Sequence, residues 1–172
     1  MAQKTIMEIN PIQWLEEKIP GFRQLNEEER LAIQHFALLW SLFEGKALGA
    51  QASAPKILSV VHNGFARHVM ELTPYQKCFD YFRARYFSNG TLTHQFDQLR
   101  VSSADRPLVE QVLREENNNP ADIVAVILIV IYRFRNNLFH GVKWEYELRD
   151  QLDNFNHANQ VLMVAYDQLL NR

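Results

Sequence analysis

Apolar residues recur along most of this chain at intervals of three and four, the period of helices that turn one face to a core. Between Asn26 and about Leu48, Leu31, Phe36, Leu39, Trp40 and Phe43 form such a stripe. Asn26 stands where a side chain caps a helix, and Glu27, Glu28 and Glu29 follow where the helix dipole favours anions. A shorter segment before it, Pro11 to Ile19, opens on proline and is closed by Pro20-Gly21. Ser53-Ala54-Pro55 predicts another start, carrying Ile57, Val60, Val61 and Phe65. Thr73-Pro74 introduces Tyr75 to Phe87, with Asn89-Gly90 expected as the helix stop. Short helical pieces are expected around Gln95 to Leu99 and Arg106 to Glu116.

Two stretches depart from that simple amphipathic form. After the polar run Glu115 to Asn119, Pro120 and Asp122 restart a helix whose residues Ile123 to Ile131 are apolar on every side, which predicts a buried central element. The β-branched residues also suit a strand, but no second strand-like run is present to satisfy its backbone, so helix is expected. The last helix, about Glu147 to Leu170, brings Leu148, Leu152, Phe155, Leu162, Tyr166 and Leu169 near one face. The pattern therefore predicts an all-α fold, a helical bundle with additional short helices. It forms a single domain over residues 1–172, with 1–25 as an N-terminal appendage.

Composition narrows the picture. The chain has 172 residues, 47% of them hydrophobic, enough for one domain with its own core. The lone Cys78 makes neither an internal disulfide nor a cysteine zinc cluster, which fits a reducing setting. No basic-then-apolar leader opens the chain, and the apolar run ending at Tyr132 falls short of the roughly 20 residues that cross a bilayer, so a cytoplasmic protein without a membrane partner is expected. The net charge of −2 requires any nucleic-acid contact to be a local patch.

Several chemistries find no motif here: there is no phosphate-cradling glycine loop, no nucleophile elbow and no helical pair of zinc-binding histidines. His62, His68 and Glu71 are the nearest approach to a metal site, but on an ideal helix the two histidines point about 120° apart. No metal and no cofactor are expected. The segment that stands out is Tyr132-Arg133-Phe134-Arg135-Asn136-Asn137-Leu138-Phe139-His140-Gly141, which sets two arginines, two asparagines and a histidine directly after the most apolar helix.

Arg135 to Gly141, RNNLFHG, resembles the motif of the HEPN superfamily, all-helical domains whose ribonuclease members carry an Arg, a gap of four to six residues and a His, often as Arg-Asn with Gly after the His. Arg30 and His35 have the same spacing but lie inside the amphipathic N-terminal helix and lack the Asn and the Gly. The resemblance is specific from Ile123 to Trp144 and looser from Asn26 to Leu170. It implies a metal-independent endoribonuclease that cuts RNA by attack of the 2′-OH on the adjacent phosphate, acting as a homodimer. It further implies a toxin or antiphage-defence role, with an antitoxin or defence-system protein as a further partner. Arg135, His140 and Asn136 would be the catalytic residues, and the resemblance also carries over Glu44, at the end of the first long helix. A guanidinium suits a phosphate in its charged transition state, and an imidazole with a near-neutral pKa suits proton transfer at the 2′- and 5′-oxygens.

Helical geometry keeps two arginines in play. Arg135 and His140 point about 140° apart on an unbroken helix, so convergence needs a bend at Asn136-Asn137 or a second subunit. A straight helix would instead align Arg133, Asn137 and His140. Basic and aromatic residues also interleave from Tyr75 to Tyr86, where Lys77, Arg83 and Arg85 could hold an RNA backbone, or simply face solvent on a helix whose aromatics point inward. The alternative to an enzyme is a non-catalytic module that uses the same polar segment to bind a nucleotide, RNA or a protein.

Overall fold

A computed structural model describes residues 9–139 and 151–170. Among the described residues the fold is all-α apart from one small hairpin, in the order α1 (Pro11–Lys18), α2 (Pro20–Arg23), α3 (Glu27–Ala47), α4 (Ala54–Ala66), α5 (Gln76–Tyr86), the strands β1 (Phe87–Ser88) and β2 (Thr91–Leu92), α6 (His94–Gln98), α7 (Arg106–Leu113), α8 (Pro120–Phe139) and α9 (Leu152–Leu170). None of these helices is long and apolar enough to cross a membrane.

The helix starts follow from local chemistry. Asn26 and Glu29 form a reciprocal capping box, each side chain holding the other's backbone N–H at 2.9 Å. The Ser53 hydroxyl accepts from the Lys56 N–H ahead of α4. The side-chain oxygen Oδ1 of Asn119 accepts from the N–H groups of Ala121 and Asp122 at the start of α8.

The middle of α8 is the centre of the molecule: every residue from Ile123 to Ile131 is buried. A helix that is apolar all round requires neighbours on all sides, and α4, α5 and α7 supply them. α3 and α9 pack along each other in the most extensive contact of the fold. Aromatic rings tie this pair to the rest: Phe36 meets Phe155 at 5.1 Å, Phe134 meets Phe155 at 6.3 Å, and Phe82 stands edge-on to Phe134 at 5.6 Å. Burying rings of this size contributes roughly 1.5–3 kcal/mol each, so the joint between α3, α8, α5 and α9 is a major source of stability.

Three features differ from the sequence pattern. Pro20-Gly21 does close α1, but it also opens the one-turn helix α2, with Pro20 at a position where a missing N–H costs nothing. Asn89-Gly90 is not a helix stop. Both residues have positive φ, 52° and 77°, and form the turn between β1 and β2, the conformation that two-residue hairpin loops demand. Along α3 the buried stripe is Ala32, Phe36, Trp40 and Phe43, whereas Leu31 is 44% exposed. The small Ala32 allows close approach, and the Ala32 carbonyl accepts from Asn159 Nδ2 of α9 at 3.1 Å. On α9 the buried face includes Phe155, Ala158, Val161, Leu162 and Ala165, with Tyr166 and Leu169 at its margin, while Leu148 and the first part of the expected helix lie outside the described residues.

Candidate functional site

Three side chains from α8 point to one wall of α3 because they are spaced three and four apart: Tyr132, Arg135 and Phe139. Tyr132 stacks on Trp40 with ring centroids 5.9 Å apart. Trp40, almost fully buried, donates its indole N–H to Oε2 of Glu44, one turn further along α3. The same carboxylate lies 3.6 Å from the Arg135 guanidinium. Its other oxygen, Oε1, accepts from the backbone N–H of Ala52 at 3.4 Å. Glu44 thus joins α3, α8 and the loop that follows α3.

These residues border a cleft of about 350 Å³, lined by Trp40, Ser41, Glu44, Ala50, Arg135 and Phe139 among others. Its size falls at the small end of the range for small-ligand sites. The loop wall is conformationally unusual: Gly49 and Ala50 both have positive φ, 65° and 57°. Only Gly adopts that region freely, so Ala50 carries local strain at the edge of the cleft. Arg135 is held without being consumed. One terminal nitrogen donates to Asn136 Oδ1 at 3.1 Å, the guanidinium lies 5.5 Å from the centre of the Phe139 ring, and the side chain remains 30% exposed. The buried Nε finds no acceptor.

Arg133 faces another way. Its Nε donates to the Leu99 carbonyl at 3.0 Å, and one turn later Asn137 Nδ2 donates to the Gln98 carbonyl at 3.2 Å. The pair fastens α8 to the turn after α6 by satisfying two backbone acceptors, and neither residue lines the cleft. Of the two competing arginines, Arg135 is therefore the one beside Glu44. α8 is continuous helix through Asn136 and Asn137 to Phe139. His140 lies outside the described residues, as do Gly141 and Trp144.

The basic residues of α5 are not gathered at this cleft. Arg83 pairs with Glu115 at 2.7 Å and lies over the Phe87 ring, while the Arg85 charge opposes the rise that burial gives the pKa of Tyr81 and Tyr86. Lys77 is exposed, and Tyr75, Cys78, Phe79, Phe82 and Tyr86 are turned inward, the arrangement of an ordinary amphipathic helix. Burial pushes the Cys78 thiol up to about 12, which keeps it protonated and a poor nucleophile. His62 is committed to Asp122 at 2.8 Å, whose second oxygen accepts from Asn117. Arg30 is paired with Glu16 at 2.7 Å, and it and His35 border different clefts.

Sequence spacing accounts for the Tyr132-Arg135-Phe139 and Trp40-Glu44 rows, but their meeting depends on how α3 and α8 pack. Ser41 and Ala50 carried no sequence signal as cleft residues; Phe139, inside the motif, could have been singled out as the exposed aromatic one turn beyond Arg135. No protein-family model matches the chain, nor does any curated protein or solved structure.

Proposed function

We propose that this protein is a metal-independent endoribonuclease of the HEPN type, with Arg135 as the phosphate-binding residue. The observation that carries the proposal is the meeting of Arg135 with Glu44 at the lining of one cleft. The two positions were singled out from different parts of the chain by the same resemblance, and they lie 91 positions apart in the sequence numbering (135 − 44). Arg135 offers a planar fork of donors that fits phosphate oxygens, and its partial exposure leaves it open to an anion.

In the proposed reaction the ribose 2′-oxygen forms a bond to phosphorus as the bond to the 5′-oxygen breaks. The products are a 2′,3′-cyclic phosphate and a 5′-hydroxyl. His140 takes the 2′-OH proton and returns a proton to the departing 5′-oxygen, Arg135 stabilises the extra phosphate charge, and Asn136 orients the guanidinium through their hydrogen bond. Because Arg135 and His140 point about 140° apart on an unbroken helix, His140 of a second copy completes the site in this scheme, which makes the homodimer part of the proposal. A toxin or antiphage-defence role, with RNA and an antitoxin or defence-system protein as partners, completes it.

The test is cleavage of labelled RNA in EDTA by the parent and by Arg135→Ala, His140→Ala and Arg133→Ala. Loss of about a hundredfold or more is expected for the first two, with Arg133→Ala retaining most activity per folded molecule. Cleavage of an all-deoxy substrate, or full activity of His140→Ala, would overturn the proposal. RNA or nucleotide binding without cleavage by the parent would instead establish the binding-module alternative.

A further inference from the structure

Phe139 is 56% exposed, unusual for a phenylalanine at the end of a helix whose other apolar residues are almost all buried. One face of its ring meets Arg135, with the guanidinium 5.5 Å from the centroid. The ring also forms part of two adjoining surfaces: the polar cleft with Glu44 and Ser41, and an apolar groove bordered by Leu15, Ile33 and Leu138. An aromatic ring beside a guanidinium pairs a stacking surface with an anion-binding group, the two kinds of contact that a nucleotide's flat base and charged backbone call for. Stacking on such a ring is indifferent to base identity because every base presents a π face. Arg135 and Phe139 are one helical turn apart, so the base contact and the phosphate contact are rigidly linked by α8.

We infer that Phe139 is the base-stacking residue of the cleft, seating the nucleobase of a nucleotide whose phosphate is held by Arg135. The inference rests on the proposed nucleic-acid reading of the same site. Stacking makes the contact and Arg135 sets its distance from the phosphate, so Phe139 governs substrate binding and positioning while taking no part in proton transfer. An aliphatic side chain at this position would still cover the apolar groove but would not stack.

The experiment separates these roles by comparing Phe139→Leu and Phe139→Ala with Phe139→Tyr and Phe139→Trp. Binding is read with a short, uncleavable 2′-O-methyl oligonucleotide carrying 2-aminopurine, whose fluorescence is quenched by stacking. Circular dichroism confirms that each variant is folded. The parent, Tyr and Trp forms should bind with similar affinity and quench the probe, whereas Leu and Ala should bind about 5- to 150-fold more weakly and without quenching. Cleavage of the matching ribose substrate should follow through a raised KM with kcat changed less. Parent-like affinity and quenching in Phe139→Leu, or no oligonucleotide binding by the parent, overturns the inference. A parent that binds in a Phe139-dependent way but never cleaves refutes the nuclease proposal and leaves this inference standing.

Discussion

Replacing Glu44 by glutamine keeps the volume of the side chain but removes one of two acceptors, and the consequence can be worked from the donors around it. Three donors face the carboxylate: the Trp40 indole N–H, the Ala52 backbone N–H at 3.4 Å and the Arg135 guanidinium at 3.6 Å. An amide has one oxygen, so in either orientation its NH₂ group points at a donor. Whichever donor that is, the Trp40 indole or the Ala52 backbone N–H, a hydrogen bond to a charged acceptor is lost, at a cost of about 1–3 kcal/mol. The ion pair matters less. Two unit charges at this separation attract by about 4–5 kcal/mol at an effective dielectric constant near 20. With both partners partly exposed, desolvation and competition from water leave roughly 0.2–1 kcal/mol net.

The order of effects is therefore set: Glu44→Gln should destabilise the fold by about 1–3 kcal/mol and Arg135→Ala by at most about 1 kcal/mol. In a double-mutant cycle Glu44 should couple more strongly to Trp40, tested with Trp40→Phe, than to Arg135. Urea unfolding at neutral pH measures all of these. If Arg135→Ala costs as much as Glu44→Gln, or the Glu44–Arg135 coupling exceeds the Glu44–Trp40 coupling, the assignment of Glu44 as a hydrogen-bonded structural hub is refuted.

Other expectations are independent of that cycle. Ala50→Gly should leave stability unchanged or raise it by up to about 1 kcal/mol in urea melts, because φ of 57° is strained for alanine and free for glycine; a clear loss would contradict that backbone account. Arg133→Ala and Asn137→Ala should each cost about 1 kcal/mol, since each strands a carbonyl of the Gln98–Leu99 turn, and neither should alter oligonucleotide binding by the folded protein. His157, stacked on Tyr81 at 4.2 Å, has its pKa lowered from 6.5, chiefly by burial. The unfolded chain then binds more protons than the folded one, so this residue's contribution is full above the unfolded pKa of 6.5 and declines as pH falls through it towards the folded value. Urea midpoints followed from pH 7.5 to 5 should fall less in His157→Phe than in the parent.

Helix starts were legible because caps are local: Asn26, Ser53 and the proline positions act within one turn. The buried centre of the molecule was equally plain in Ile123 to Ile131, since a helix apolar on all sides has nowhere else to go. Faces were harder. Leu31 looks more core-like than Ala32, but the close approach of α9 to α3 favours the smaller residue, and hydrophobicity alone does not encode that distance. The Asn89-Gly90 turn shows a local signal with two uses: positive φ ends a helix or turns a hairpin, and the pairing of Phe87 with Leu92 decides between them. At the cleft, the choice between Arg133 and Arg135 could not be made from spacing, because it depends on the Leu99 carbonyl that occupies Arg133. His140 falls outside the described residues, so its convergence with Arg135 rests on the proposal.

The burial of α8 has a consequence for the time scales of the cleft. Amide hydrogens from Ile123 to Ile131 are sealed from solvent on every side and should exchange with deuterium only when the whole domain opens. Arg135 and Phe139 stand on the last turns of that slow-exchanging rod, whereas the opposite wall, around Ala50, is a short loop whose Ala52 amide is held by the Glu44 side chain. One jaw of the cleft is thus anchored to the global stability of the protein and the other to a single carboxylate, so adaptation to an occupant would fall to the loop.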